Sequence, residues 1–409
     1  MSADLTNGTP LVYGREQYID RLWQTLDGDP PLMPGRSIYI NDLRRIGKTY
    51  ILDELERNPR GYIVVNYSVE GLGDASRFAA TVFNSVRSHL STGAKVSGWI
   101  TQFVHQWRGA SVDGVLTLPE GSNAPWIDIL RKTFEDLQSA LDETNQKIVF
   151  LWDELPDLMD SIINNETEEK KGVTNASGLL GILRSARDNY PRIRMVFTGS
   201  IGMHHILAKL RRNGYKGEPL NDMAHMPPGP LSPEDGVAFA SALLTSAGVR
   251  DDARQTFARK IASLVGNIPF YIKGLAQAVT LDLKDDQLTS KHIADKIKEA
   301  LMRNDWELRY FHDRIKNAYG EDTSLVLGIL DTLAVCDSLL ITELVGKLPD
   351  NHPLDVEYVR HLLTLLEEDH YLTRSKKEPG GYLFRYDLIR RWWCVYRGLV
   401  PAKTPKSTR

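Results

Sequence analysis

Short apolar runs alternate with amphipathic stretches through the first half of the chain. Ser37–Ile40, Tyr62–Tyr67, Lys147–Trp152 and Arg194–Thr198 are rich in β-branched and aromatic residues, the pattern of strands buried on both faces. Between them apolar positions recur three and four apart, which predicts helices over Thr49–Arg57, Ala75–Leu90, Trp126–Asp142, Ser177–Asp188 and Ile201–Leu210. This alternation predicts an α/β fold with a mostly parallel sheet covered by helices on both faces. The stretch 91–125 breaks the pattern with Gly, Ser and Trp and reads as an irregular insertion.

At Met226-Pro227-Pro228-Gly229-Pro230-Leu231-Ser232-Pro233 the turn chemistry marks a domain boundary. Beyond it the helical period alone is found, over Glu234–Ala247, Asp252–Val265, Phe270–Leu283 and Lys291–Leu301. The last third reads as helices over Ser324–Ala334, Ile341–Leu348 and Asp355–Glu368. A hairpin of Tyr371–Arg374 with Tyr382–Tyr386 around Gly380-Gly381 follows, and then a helix. That order fits a winged helix-turn-helix. The expected domains are therefore 1–228, a sheet-containing core; 229–303, a small helical domain; and 304–409, a winged-helix domain with a basic tail.

A chain of 409 residues that is 42% apolar and 25% charged can bury a core in each. Its two cysteines, Cys336 and Cys394, cannot build a disulfide framework or a zinc cage, so a reducing setting is expected. No secretory leader and no apolar run of about 18 residues is present, so no membrane partner is expected and the cytoplasm is the expected location.

One loop carries explicit chemistry. The run Asn41-Asp42-Leu43-Arg44-Arg45-Ile46-Gly47-Lys48-Thr49 follows an expected strand and opens an expected helix at Tyr50. Strand, loop ending in Gly-Lys-Thr and helix is the signature of a triphosphate cradle. The backbone N–H groups from Arg44 to Tyr50, through Ile46 and Gly47, would face phosphate, Lys48 would neutralise it, and the Thr49 hydroxyl would ligate Mg²⁺. Asp42 stands where the pattern has Gly. A positive φ at Asp42 would cost about 1–3 kcal/mol, and its carboxylate would repel nucleotide by about 2 kcal/mol at about 8 Å. A carboxylate turned into solvent would escape most of that cost.

The second half of an ATPase site is an apolar strand ending in acid, which Lys147-Ile148-Val149-Phe150-Leu151-Trp152-Asp153-Glu154 supplies. Asp153 at the carboxyl end of a strand would hold Mg²⁺ and Glu154 would activate water. The next strand ends in Thr198-Gly199-Ser200, where a hydroxyl, preferably that of Ser200, would contact the γ-phosphate or orient the water. Ser200 as a plain helix N-cap fits the local sequence equally well.

These motifs, in order, resemble the STAND, origin-recognition and archaeal-type AAA+ P-loop ATPases. Tyr13-Gly14-Arg15-Glu16 looks like their opening box, and Asp42–Thr49 is similar to the archaeal-type Gly-Pro-Arg-Arg-Val-Gly-Lys-Thr. Thr198–Met203 resembles their third motif, Gly266-Asn267-Ile268-Pro269-Phe270 the Gly-x-Pro of a helical lid, and Tyr386–Trp393 the closing segment of a winged domain. The resemblance implies that Tyr13, Gly14 and Arg15 lie beside adenine, that Pro269 caps it, and that nucleotide state sets the angle between lid and core. It implies a Mg-dependent ATPase of low or partner-stimulated activity, taking ATP and ADP, with DNA, an effector protein or a second copy of the chain as partner. The alternatives are a nucleotide-locked or nucleotide-independent adaptor for an effector and a winged-helix DNA regulator.

Net charge is −3, yet from Arg374 onward Arg374, Lys376, Lys377, Arg385, Arg390, Arg391, Arg397, Lys403, Lys406 and Arg409 face only Glu378 and Asp387. Arg374, Lys376 and Lys377 stand where a wing would touch a DNA backbone; a solvated basic tail is the plainer reading of the charges. Trp392-Trp393 could stack on bases but reads first as core, and His204-His205 has no neighbouring ligand in sequence to complete a metal set. Arg184, Arg187 and Arg211 are arginines that could act across a subunit interface and read first as surface residues.

Overall fold

The computed structural model describes residues 14–29, 33–89, 111–112, 115–116, 126–165, 169–200, 202–249, 254–281, 288–348 and 355–400. Tyr13 and most of the expected insertion lie outside these residues; within the insertion, Ser111–Val112 and Val115–Leu116 form a short antiparallel ladder.

The expected strands form a parallel sheet. Its members are β1 (Ile38–Asn41), β2 (Tyr62–Ser68), β3 (Lys147–Asp153), β4 (Ile193–Gly199) and a short β5 (Ala224–His225), in the spatial order β2-β3-β4-β1-β5. The two residues of β5 are too few to show a period, which is why the sequence did not announce it. Register sets Ile40 opposite Thr198, Asn41 opposite Gly199, Trp152 opposite Phe197 and Ser68 opposite Asp153. The carboxyl ends of β1, β3 and β4 therefore share one edge, with β4 lying between the loop-bearing strand and the acid-bearing strand.

Both faces of β3 are buried, as its apolar run requires. Trp152 stacks on Phe197 at 5.5 Å between ring centroids, and Phe78 meets Trp152 edge-on at 5.0 Å. Helices Ala75–Val86, Trp126–Thr144, Leu155–Asn165 and Glu169–Asn189 close over this core. Three described helices were not among those expected, Glu16–Asp27, Leu155–Asn165 and, further along, Arg309–Tyr319, although their buried residues follow the helical period: Tyr18, Ile19, Leu22, Trp23 and Leu26 in the first, Leu155, Leu158, Met159, Ile162 and Ile163 in the second, and Phe311, His312, Arg314, Ile315 and Tyr319 in the third.

The chain divides into two compact units, one of Gln17–Asp42 with Lys48–Pro228, the other of Leu43–Gly47, Gly229–Arg409 and the residues up to Glu16. The second unit is helical. Ser232 caps Pro233–Ser246 by accepting from Asp235 N at 3.0 Å, with Pro233 in the first turn. Arg254–Leu264, Pro269–Leu281 and Ser290–Arg303 follow. Gly266 and Asn267, at φ 65° and 56°, turn the chain between the first two of these.

Helices Arg309–Tyr319, Thr323–Ala334, Ile341–Val345 and Val356–Glu368 lead to a hairpin of Leu372–Arg374 with Tyr382–Phe384, and the last described helix is Asp387–Arg397. One continuous core runs from Leu231 through Leu275 and Leu330 to Cys394. Within it Arg314 pairs with Asp369, which also accepts from Tyr319 Oη at 2.6 Å. Trp392 and Trp393 are buried, and Trp393 Nε1 donates to Asp331 at 2.8 Å. Neither indole is available to a base. No described helix is long and apolar enough to cross a membrane.

Candidate functional site

β1 delivers the chain to the loop, and Lys48–Arg57 begins directly after it. Left-handed backbone falls at Arg45 (φ 72°) and Gly47 (φ 100°) and not at Asp42, so the strain anticipated at Asp42 is absent there. The condition under which its carboxylate would escape the repulsion, exposure to solvent, is not met, because Asp42 is fully buried. Lys48 is also buried, and its ammonium donates to the Asp42 carbonyl at 2.8 Å.

Thr49 is on the first turn of its helix, and its Oγ1 donates to Asp153 Oδ2 at 2.6 Å. The other Asp153 oxygen accepts from Thr198 Oγ1, and Thr198 in turn accepts from Glu154 N at 3.2 Å. Glu154 adopts φ 61°, a conformation that costs a non-glycine residue about 1 kcal/mol or more. It is secured by Ser200, whose N–H and hydroxyl donate to Glu154 Oε2 at 2.8 and 3.0 Å. Ser200 is not a helix N-cap: the helix Met203–Arg212 starts later, with Gly202 at that position. The parallel register thus gathers Thr49, Asp153, Thr198, Glu154 and Ser200 from three separated segments.

Asp53, one turn beyond Thr49, is a group that sequence reasoning passed over. Burial raises its carboxyl above the usual value, against lowering by Arg57 and Asn66, and the Asp153 charge adds to the rise. The helical spacing from Thr49 was the available signal.

In the helical unit the loop's own side chains are engaged. Arg44 lies over the Tyr310 ring at 4.5 Å, Arg45 over Phe270 at 4.4 Å, and Arg45 pairs with Glu307. These guanidinium groups are turned onto protein. Arg15 donates to the carbonyls of Ile46 at 3.3 Å and Gly229 at 2.7 Å, which makes it a tie to the loop. Gly14 has φ 64°, and a Cβ there would come within 2.3 Å of the Asp235 side chain. Pro269 opens its helix, and Tyr50 is half-buried on the helix after the loop.

No family model and no curated protein matches the chain. Among solved structures it is similar to a Walker-type ATPase of Pyrococcus abyssi, with 14% identity, 95% of this chain and 99% of that one covered, and a TM-score of 0.61. It is also similar to the ORC2 protein of Aeropyrum pernix in its ADPNP–ADP complexes, with 13% identity, 96% of each chain covered and a TM-score of 0.52. The fold is shared with these structures: a mostly parallel five-stranded sheet with helices, the α/β arrangement of a P-loop NTPase.

In this P-loop fold the arginines considered for an interface role have local partners. Arg187, expected at the surface, has a side chain only 3% exposed; it donates to Asp222 at 2.7 and 2.9 Å and lies over Phe197. Arg184 donates to the Glu218 carbonyl at 2.6 Å, and Arg211 pairs with Glu218. Four basic residues of the C-terminal stretch have acidic partners, and Lys403, Lys406 and Arg409 lie outside the described residues. Arg374 is held by Glu367 at 3.0 Å and covers the Tyr382 ring, Arg390 and Arg391 pair with Asp387, and Arg397 pairs with Asp331. Lys376 and Lys377 are exposed in the hairpin turn.

Proposed function

We propose that this protein binds ATP with Mg²⁺ and hydrolyses it slowly, as an AAA+/STAND-type switch that couples nucleotide state to assembly with DNA or an effector protein. The observation that carries the reading is the 2.6 Å hydrogen bond from Thr49 Oγ1 to Asp153 Oδ2, which joins the loop and the acid strand across 104 positions of sequence. A hydroxyl and a carboxylate are hard oxygen donors, and Mg²⁺ takes one or two such protein ligands beside phosphate and water. Thr49 and Asp153 would hold that ion, which supplies charge neutralisation at the phosphates.

Lys48 would exchange its present carbonyl acceptor for phosphate oxygen. Glu154, oriented by Ser200, would take the proton of the attacking water, and the backbone N–H groups of residues 44–50 would line the phosphates. Tyr13, Gly14, Arg15 and Pro269 belong to the adenine side of this proposal, by the resemblance alone. The nucleotide complexes of the ORC2 structure are consistent with the ligand class. The hairpin with its flanking helices would serve as a winged domain, with Lys376 and Lys377 as its DNA-facing charges and Arg374 holding the hairpin.

Calorimetry with MgATP tests the site. Lys48→Ala should abolish binding, while Glu154→Gln should keep binding and lose turnover; equal affinity of the wild-type and Lys48→Ala proteins would refute the assignment.

A second reading has an observation of its own. The wholly buried Asp42 favours a nucleotide-locked or nucleotide-independent adaptor, because a carboxylate close to phosphate repels it and opposes binding of a fresh triphosphate. Purified protein retaining ADP without turnover would support it.

A further inference from the structure

The residues that shape the loop are not confined to the loop. Leu43 and Ile46 are fully buried and belong to the same hydrophobic core as Leu231, Leu244, Ile268 and Tyr271. Arg45, between them, is in a left-handed conformation at φ 72° that a side-chain-bearing residue holds only when its surroundings compel it. Its guanidinium is fixed from two sides, by the Phe270 ring at 4.4 Å and by the Glu307 carboxylate. Glu307 is itself at φ 54°, in the turn between Ser290–Arg303 and Arg309–Tyr319, and its N–H donates to the Asn304 carbonyl at 3.1 Å. Arg44 lies over Tyr310, three residues further on.

From this arrangement we infer that Glu307 and Phe270 are positioning residues for phosphate: acting through Arg45, they hold the loop in the form whose N–H groups receive the nucleotide. The inference rests on the nucleotide reading above and adds to it where the loop's shape comes from. Leu43 and Ile46 pin the loop by burial, and the Arg45 contacts select its turn. Without them Arg45 relaxes toward ordinary negative φ, the adjoining peptide rotates, and its N–H leaves the phosphate side. By linkage, a nucleotide that needs this loop form also favours the Glu307 turn that makes it.

The test uses the full chain and two readouts. Hydrogen exchange of the peptide covering Leu43–Lys48 is measured with exchange of the Pro233–Ser246 helix as control, and the Kd for MgADP is measured by calorimetry. Glu307→Gln and Phe270→Leu, each checked for an unchanged thermal transition, should speed loop exchange about tenfold and raise Kd about three- to tenfold, leaving the control helix unaltered. Arg45→Glu should be worse than either, and adding Glu307→Arg to it should recover part of the affinity, which loss of packing alone would not allow. Unchanged Kd in both variants overturns the inference, whether or not the loop exchanges faster. Absence of MgADP binding in the wild-type protein is a separate outcome, which overturns the nucleotide reading and the inference with it.

Discussion

Ser200 holds Glu154: its backbone N–H and its hydroxyl both donate to one carboxylate oxygen, at 2.8 and 3.0 Å. The contact fixes a side chain whose backbone is already in a left-handed conformation. Removing the hydroxyl leaves the backbone bond and frees one rotation. Ser200→Ala is therefore expected to lower kcat for ATP about tenfold, equivalent to about 1.4 kcal/mol of barrier, with KM changed by less than about twofold. Steady-state phosphate release measures both; a KM effect alone would assign Ser200 to binding instead.

Thr49 and Asp153 make a prediction with a metal readout. Thr49→Val keeps the shape and deletes the donor to Asp153 Oδ2, so stability should fall by no more than about 1 kcal/mol. Affinity for MgATP should drop about tenfold or more, while affinity for ADP in the presence of a chelator should change little. Titrations with and without Mg²⁺ distinguish the cases.

Asp222 and Arg187 give stability a pH dependence. Burial by itself would raise the Asp222 carboxyl, but the hydrogen bonds and charge of Arg187 outweigh it and hold the group below its ordinary value. A depressed carboxylate adds stability that is fully present above its unfolded value, about 3.9, and that disappears as pH falls through the folded value. Acid unfolding of the wild-type protein should steepen below about pH 4, and Asp222→Asn should flatten it there. At neutral pH, Arg187→Ala should cost about 3 kcal/mol, because it leaves a partly buried carboxylate unpaired. Urea unfolding at several pH values reads both.

Lys376 and Lys377 are the exposed basic pair of the hairpin turn, whereas Arg374 is neutralised by Glu367. If the hairpin meets duplex DNA, the double change to Ala should weaken binding and reduce the log–log salt slope by about 2, at about 0.9 per phosphate contact. Fluorescence anisotropy across a salt series tests this; no duplex binding by the wild-type chain would assign the segment to protein packing.

Much of the architecture is legible because it is written in short-range patterns. β3 announces itself by an unbroken apolar run and β4 by a shorter one, and the helices of the second unit by spacings of three and four with Ser232 and Pro233 at one start. Gly47-Lys48-Thr49 and Asp153-Glu154 are readable as a candidate site because a phosphate and metal site of the proposed kind restricts residue types at adjacent positions. The helices Glu16–Asp27 and Leu155–Asn165 carry the same period.

What the sequence by itself determined was therefore local: strand, loop, helix, and the residue types able to handle a triphosphate. Tertiary structure decided which of these meet. The order β3-β4-β1 sets Thr198 between the acid strand and the loop strand, so that it bonds Asp153 and Glu154. The core around Leu43 and Ile46 turns Arg44 and Arg45 onto Tyr310 and Phe270. The sequence offers Arg44 and Arg45 to phosphate through their backbone N–H groups; where their side chains go is set by burial of their apolar neighbours among residues far along the chain.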